Sequence, residues 1–267
     1  MIPWRIARRW ISGNRLSCAI RVTKDFNAHG VGTLINFLGE NITDKKEAER
    51  IFLEYSKIIK EIKLRKLDAA ISTKPTQFCL HPHSHYCSAV LAKLLDTAER
   101  ENIFVWFDME SSQYTQETID LYLALLNTYH NIGICIQAYL KRSARDLREI
   151  VKKGGIVRLV KGIYHETSGG TYTKKSDIDS SFMRLMKILF RKSGRFALGT
   201  HDEKMIDAAI SLNKRYKRSV EFQTLYGIRR EIIRGLAGKE KVAVYVPYGR
   251  AWNNYVQRRL HEKARWK

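Results

Sequence analysis

The chain has 267 residues, 44% of them hydrophobic, and only 4 prolines and 16 glycines punctuate it. That composition excludes a low-complexity or disordered chain and allows a fully buried core, and no apolar run reaches the roughly 18 residues that span a bilayer. Lysine and arginine number 48 against 27 acids, and the resulting +21 draws polyanions such as nucleic acid or an anionic membrane surface. The lysines are spread along the chain rather than blocked together, so a solvated lysine-rich surface accounts for the charge equally well.

The opening MIPWRIARRWISGNR is basic and free of acids, as organelle presequences are, but it lacks the long apolar stretch of a secretory signal. Cys18, Cys79, Cys87 and Cys135 form no CxxC pair, which fits reduced thiols in a cytosolic setting. An amphipathic segment, LSCAIRVTKDFNAHG, precedes the first β-rich run, and residues 1–30 are expected to form an N-terminal helical segment. Eight apolar runs then follow: VGTLINFL (31–38), DAAIST (68–73), IFVWF (103–107), IGICI (132–136), IVRLV (156–160), RFAL (195–198), SVEF (219–222) and VAVYV (242–246). They are continuous rather than alternating, as strands covered on both faces are.

Helical patterns separate them. In DKKEAERIFLEYSKIIKEI the residues Ile51, Phe52, Tyr55, Ile58, Ile59 and Ile62 recur at spacings of three and four, with Asp44 and Glu47 placed to cap the entry. QETIDLYLALLNTY, SARDLREIV and EKMIDAAISLN behave alike. Eightfold strand–helix alternation predicts a (β/α)8 barrel of the α/β class, with residues 1–267 as one domain.

In such barrels the chemistry sits where strands end. The strand ends here carry Glu40, Lys74, Asp108 with Glu110, Gln137, Thr200 with His201, Glu221 with Gln223, and Tyr245. Any one of these alone reads as a solvated loop residue or a helix cap. Arg158 and Lys161, in VRLVKGIY, sit in or beside an apolar run, where a bare charge is costly unless paired. Two cations facing Glu40 and Asp108 suggest an anion-binding pocket with compensating carboxylates. No GxGxxG follows a strand and no GxxxxGK[ST] is present, so neither a Rossmann nor a P-loop cofactor site is supported. His81, His83 and His85 in HPHSHYC look metal-like, but they open a helix with no matching acceptor elsewhere, and no metal site is expected.

Together, ISTKPTQ, FDMESSQYT, CIQAYLKRS, VRLVKGIY, THDE, VEFQTLYGIRRE, VYVPYG and YVQRRL resemble the single-function, FAD-dependent proline dehydrogenase family in order and approximate spacing. RWISGN, FNAHG and FLGENITD resemble its N-terminal segment, so the likeness runs from about Arg9 to Leu260 and argues against a cleaved presequence.

The resemblance implies a distorted barrel that holds FAD without covalent attachment, with a last helix over the barrel mouth. It implies that Arg258 and Arg259 grip the carboxylate of L-proline, for which planar donor forks are suited. Tyr245, Tyr255 and Tyr164 would wall the ring, and Lys74 and Asp108 match active-site positions. Arg158 would stand beside the reactive flavin edge, and Gln137, Lys161, Gly162, Thr200, His201 and Gln223 would hold FAD. Glu40 would pair with Arg158 as a gate. The implied reaction is proline oxidation to Δ1-pyrroline-5-carboxylate by hydride transfer to FAD, with electrons passed to a membrane quinone. The implied location is cytoplasmic or peripheral on the inner face of the membrane, with no specific nucleic acid expected. Ile163 departs from the small residue common in the family, and the tail LHEKARWK is short and basic. The competing readings are a folate-reductase-like flavin barrel, a member that binds flavin weakly and is inactive, and a basic nucleic-acid-binding barrel. The arginine pair after YVPYG tells against the folate-type reading, and the missing basic–aromatic array against the nucleic-acid one.

Overall fold

The computed structural model describes residues 2–164, 166 and 169–265. Eight parallel strands pair in sequence order and close into a barrel: β1 (Gly32–Phe37), β2 (Ala69–Thr73), β3 (Val105–Phe107), β4 (Ile132–Gln137), β5 (Ile156–Val160), β6 (Arg195–Gly199), β7 (Ser219–Leu225) and β8 (Lys241–Tyr248). Pairing of Gly32–Phe37 with Ala243–Tyr248 makes the closure. A helix follows each strand: α3 (Lys45–Leu64), α4 (Ser84–Arg100), α5 (Thr115–Leu126), α6 (Ser143–Lys152), α7 (Lys175–Lys192), α8 (Glu203–Tyr216), α9 (Arg230–Leu236) and α10 (Asn253–Arg265). Two helices, α1 (Trp4–Ala7) and α2 (Leu16–Asn27), precede the barrel. The (β/α)8 expectation is therefore met.

Alternation along each strand sorts its residues into two layers. Ile35, Ile71, Val105, Phe107, Val157, Leu159, Leu198 and Val244 belong to the large core shared with the helices. Leu34, Trp106, Ala197, Ala243 and Tyr245, their neighbours in sequence, form a separate cluster joined by Tyr255 and Val256 of α10. Both layers are apolar, which is why the strands read as continuous runs. Arg158 lies between Val157 and Leu159, so the same alternation turns it into the barrel interior.

Several strand boundaries differ from expectation by one to three residues, those of β3 and β7 among them. β3 is shorter, because Ile103 and Phe104 precede its paired residues. β7 continues past Phe222 to Leu225, because Thr224 and Leu225 still pair with Val244 and Tyr245. Gln223 is therefore part of a strand, not of the loop after it. Asp44 caps α3 as expected, its Oδ1 accepting from Lys46 N at 2.9 Å.

Candidate active site

Arg158 is the centre of the interior polar network. Its guanidinium pairs with Asp108, which follows β3, and donates to Gln223 Oε1 at 3.2 Å and Ser72 Oγ at 3.3 Å. Asp108 also accepts from Ser72 Oγ at 2.7 Å and from the Tyr245 hydroxyl at 2.8 Å. Trp106 offers its ring to Arg158 at 5.2 Å, a cation–π contact. Burial alone would lower the Arg158 pKa, but Asp108, Cys135 and Tyr245 together outweigh it and raise the value. The result is a cation kept charged inside the barrel by one carboxylate and several neutral partners.

The second cluster lies at the strand ends. Lys74 Nζ is 2.6 Å from Glu40 Oε2. Arg258 meets the same carboxylate fork to fork, with both N–O distances at 2.8 Å, and Asn254 Nδ2 adds a bond at 3.1 Å. Glu40 follows β1, Lys74 follows β2, and Tyr164, whose ring lies 5.0 Å from the Arg258 guanidinium, follows β5. Contact with Glu40 and Tyr164 places α10 across the C-terminal ends of the strands. Burial raises the Glu40 pKa, but Lys74 and Arg258 together pull it well below the usual carboxylate range. Burial pushes the Tyr164 hydroxyl far up, so it stays protonated.

The expected gate between Glu40 and Arg158 is not the pairing found. Arg158 emerges mid-strand inside the barrel and is neutralised by Asp108, whereas Glu40 lies in a strand-end loop beneath α10 and takes Arg258 and Lys74. Depth along the barrel axis separates the two residues.

Arg258 and Arg259 do not point alike. Consecutive helical residues project about 100° apart, and Arg259 bonds Glu262 at 2.5 Å while lying 5.4 Å from the Tyr255 ring. Its Nε and the Tyr255 hydroxyl are both buried without a hydrogen-bond partner among the described residues.

A proline dehydrogenase family profile matches residues 19–265. The chain belongs to the proline dehydrogenase family. It is 32% identical over 261 residues to proline dehydrogenase 1 of Bacillus subtilis subsp. natto, covering 96% of this chain and 86% of that one. It is 30% identical over 272 residues to proline dehydrogenase 2 of Bacillus subtilis strain 168, covering 97% and 90%. Proline utilization A from Bdellovibrio bacteriovorus, in a crystal structure inactivated by N-propargylglycine, superposes with a TM-score of 0.87 at 22% identity. That likeness concerns the barrel fold: it covers 97% of this chain and only 33% of the other, so this chain spans about a third of that longer protein. The family oxidises proline, and proline is the substrate class of this member.

The residues that the family resemblance assigns to the cofactor lie on the β4–β7 side. Gln137, at the end of β4, is buried, and its Oε1 has no partner among the described residues. An unpartnered amide acceptor there suits a ring N–H of a flavin. Gln223 bridges Arg158 and Glu221, donating to the latter at 2.7 Å. Thr200 Oγ1 accepts from Asp202 N at 3.1 Å. His201 Nε2 accepts from Leu225 N at 2.9 Å, and burial, aided by Arg259 and Arg229, lowers its pKa to about 4. It is a neutral ring. Lys161 sits between Asp179 and Asp202, so its charge is already shared. Gly162 holds φ +98°, and a Cβ there would collide with the Tyr139 ring, so glycine is required for the chain to pass. Ile163 and Tyr164 follow, partly exposed, outside any helix or strand. Among the described residues no three His, Cys, Asp or Glu converge as a metal set, and His81, His83 and His85 are exposed.

Three participants escape a motif-based reading: Ser72, Trp106 and Thr76. Ser72 and Trp106 look like ordinary strand residues, but the alternation that turns Arg158 inward applies to them too. Thr76 holds the carboxyl of Glu110, donating from Oγ1 at 2.7 Å and from N at 3.3 Å.

Proposed function

We propose that this chain oxidises L-proline to Δ1-pyrroline-5-carboxylate, using FAD as hydride acceptor and a membrane quinone as the final electron acceptor. The observation that carries this reading is the fork-to-fork grip of Arg258 on the Glu40 carboxylate, completed by Lys74 beneath the closing helix. A site that binds one carboxylate so closely is chemically ready for another. Arg258 and Lys74 carry further N–H donors beyond those given to Glu40, and these would receive the substrate carboxylate beside it.

FAD, when bound, supplies the hydride acceptor at ring N5. Gln137 would accept from its ring, Arg158 would set positive potential beside it, and Lys161, Gly162, Thr200, His201 and Gln223 would hold the rest. Arg258 and Lys74 fix the substrate by its carboxylate, and Arg259 joins them only on leaving Glu262. Tyr245, Tyr255 and Tyr164 bound the space left for the pyrrolidine ring. Asp108 keeps Arg158 charged and in place through the transfer, so orientation and fixed charge are the protein's contribution.

An absorbance spectrum of the purified protein, before and after anaerobic addition of L-proline, tests the reading. A flavin band that bleaches supports it. A band that persists removes proline as donor, and no band even after incubation with FAD removes the cofactor assignment.

A further inference from the structure

Glu110 has no role in the reaction as described, yet it is one of the most enclosed charged side chains, at 2% exposure. It lies two residues beyond Asp108 and receives hydrogen bonds only from Thr76 among the described residues. Around it stand Lys74 beyond β2, Glu40 beyond β1, Tyr164 beyond β5 and Cys87 on α4. Tyr164 and Cys87 are both pushed up by burial and stay neutral.

The charges of this enclosure can be matched one by one. Lys74, Arg158 and Arg258 stand against Glu40, Asp108 and Glu110, while Arg259 is matched separately by Glu262. With every carboxylate ionised the set is balanced. A carboxylate ligand entering the Arg258–Lys74 cleft leaves one negative charge in excess, which is unfavourable in a poorly solvated space. Glu40 and Asp108 are tied directly to cations. Among the described residues Glu110 is the member without an ion pair, so it is the least costly to neutralise.

We propose that Glu110 is the proton-storing group of the site, ionised when the cleft holds no ligand and protonated when a carboxylate occupies it. This rests on the proline reading of the cleft. Burial, opposed by Lys74 and Thr76 and assisted by Glu40, already raises the Glu110 pKa to about 7, so the group is poised to respond. For L-proline the consequence is a balanced transfer. The ammonium N–H bond breaks with its electron pair left on nitrogen and its proton released to solvent, an O–H bond forms on Glu110 with a proton drawn from solvent, and the net charge of the enclosure does not change. Glu110 acts by charge and is a positioning residue rather than one that contacts substrate.

The test uses cyclopentanecarboxylate, a proline isostere without the amine, titrated calorimetrically into the flavin-loaded full chain between pH 6 and 9. Two buffers of different ionisation enthalpy at each pH count the protons taken up. The expected Kd is flat below about pH 7 and rises above it by up to about tenfold per pH unit, with uptake approaching one proton. Glu110→Gln should bind with a pH-independent Kd, without proton uptake, and more tightly than the wild type at pH 8.5. A merely structural loss would weaken binding instead. A pH-independent wild type, or a slope that survives in Glu110→Gln, overturns the proposal. Should that variant not fold, Thr76→Val removes the donor favouring the carboxylate and should move the onset to higher pH; an unmoved onset overturns the proposal. Absence of binding at every pH, in contrast to flat binding, overturns the proline reading and this proposal with it.

Discussion

Arg258 and Arg259 are adjacent in sequence and differently employed in space. Arg258 holds Glu40 with two parallel bonds at 2.8 Å, and Arg259 holds Glu262 on its own helix. Replacing Arg258 with Met removes a charge-assisted bidentate partner, worth about 2–3 kcal/mol. The KM for L-proline should then rise about 30- to 150-fold at unchanged flavin content, measured by steady-state kinetics and absorbance. An equal loss of flavin would assign Arg258 to folding. The hydroxyl of Tyr255 is buried and unpartnered, and burial pushes its pKa to about 12. Tyr255→Phe therefore removes an unsatisfied donor and should leave the melting temperature unchanged or raised, while weakening proline binding if that hydroxyl meets the substrate. The substrate nitrogen must be unprotonated to release hydride, so the rate at saturating L-proline should climb between pH 6 and 9. A flat profile would contradict that requirement.

At the scale of elements, the loop–helix junctions on the β5–β6 side do double duty. Asp202 caps α8 by accepting from Lys204 N at 3.1 Å, and its other oxygen takes Lys161 at 2.6 Å. Burial raises its pKa, but Lys161 and Lys175 outweigh this and lower it. Asp202→Ala should cost about 1–2 kcal/mol through the lost cap and leave Lys161 with Asp179 as its carboxylate partner. Thermal denaturation would report the stability change, and FAD affinity would report whether the freed lysine matters to the cofactor. The last helix illustrates a different coupling. Among its described side chains Tyr255, Val256 and Arg259 are buried, Arg259 lying one turn beyond the first two, and Arg258 is turned toward Glu40. The face that anchors α10 and the residue that grips a carboxylate are therefore set by one helical phase.

At the scale of the molecule, the net charge of +21 is a property of the surface rather than of the site, whose charges are matched. Among the described residues no helix is long and apolar enough to cross a membrane. If electrons leave for a membrane quinone, long-range attraction to anionic lipid is one means of docking. Vesicles containing anionic lipid should co-sediment the protein at low salt and release it near 0.5 M, where the screening length falls to only about 4–5 Å. Neutral vesicles should not bind it, and binding indifferent to lipid charge and salt would remove this role.

Much of the architecture was legible because its signals are local. Eight apolar runs, each followed by a helical period, permit few arrangements other than a (β/α)8 barrel, and Arg158 inside IVRLV announced a paired interior cation from desolvation alone. YVQRRL marked a carboxylate clamp only through its resemblance to a family, since a basic helix end has the same letters. What the sequence by itself determined was the set of strands, the inward turn of Arg158 and the family. The tertiary structure decided partnership. Asp108 rather than Glu40 neutralises Arg158, Glu40 goes to Arg258 across 218 positions, and Glu110 has no ion pair among the described residues. Such choices depend on depth along the barrel and on angle around a helix, distances of a few ångströms that the linear order of residues does not encode.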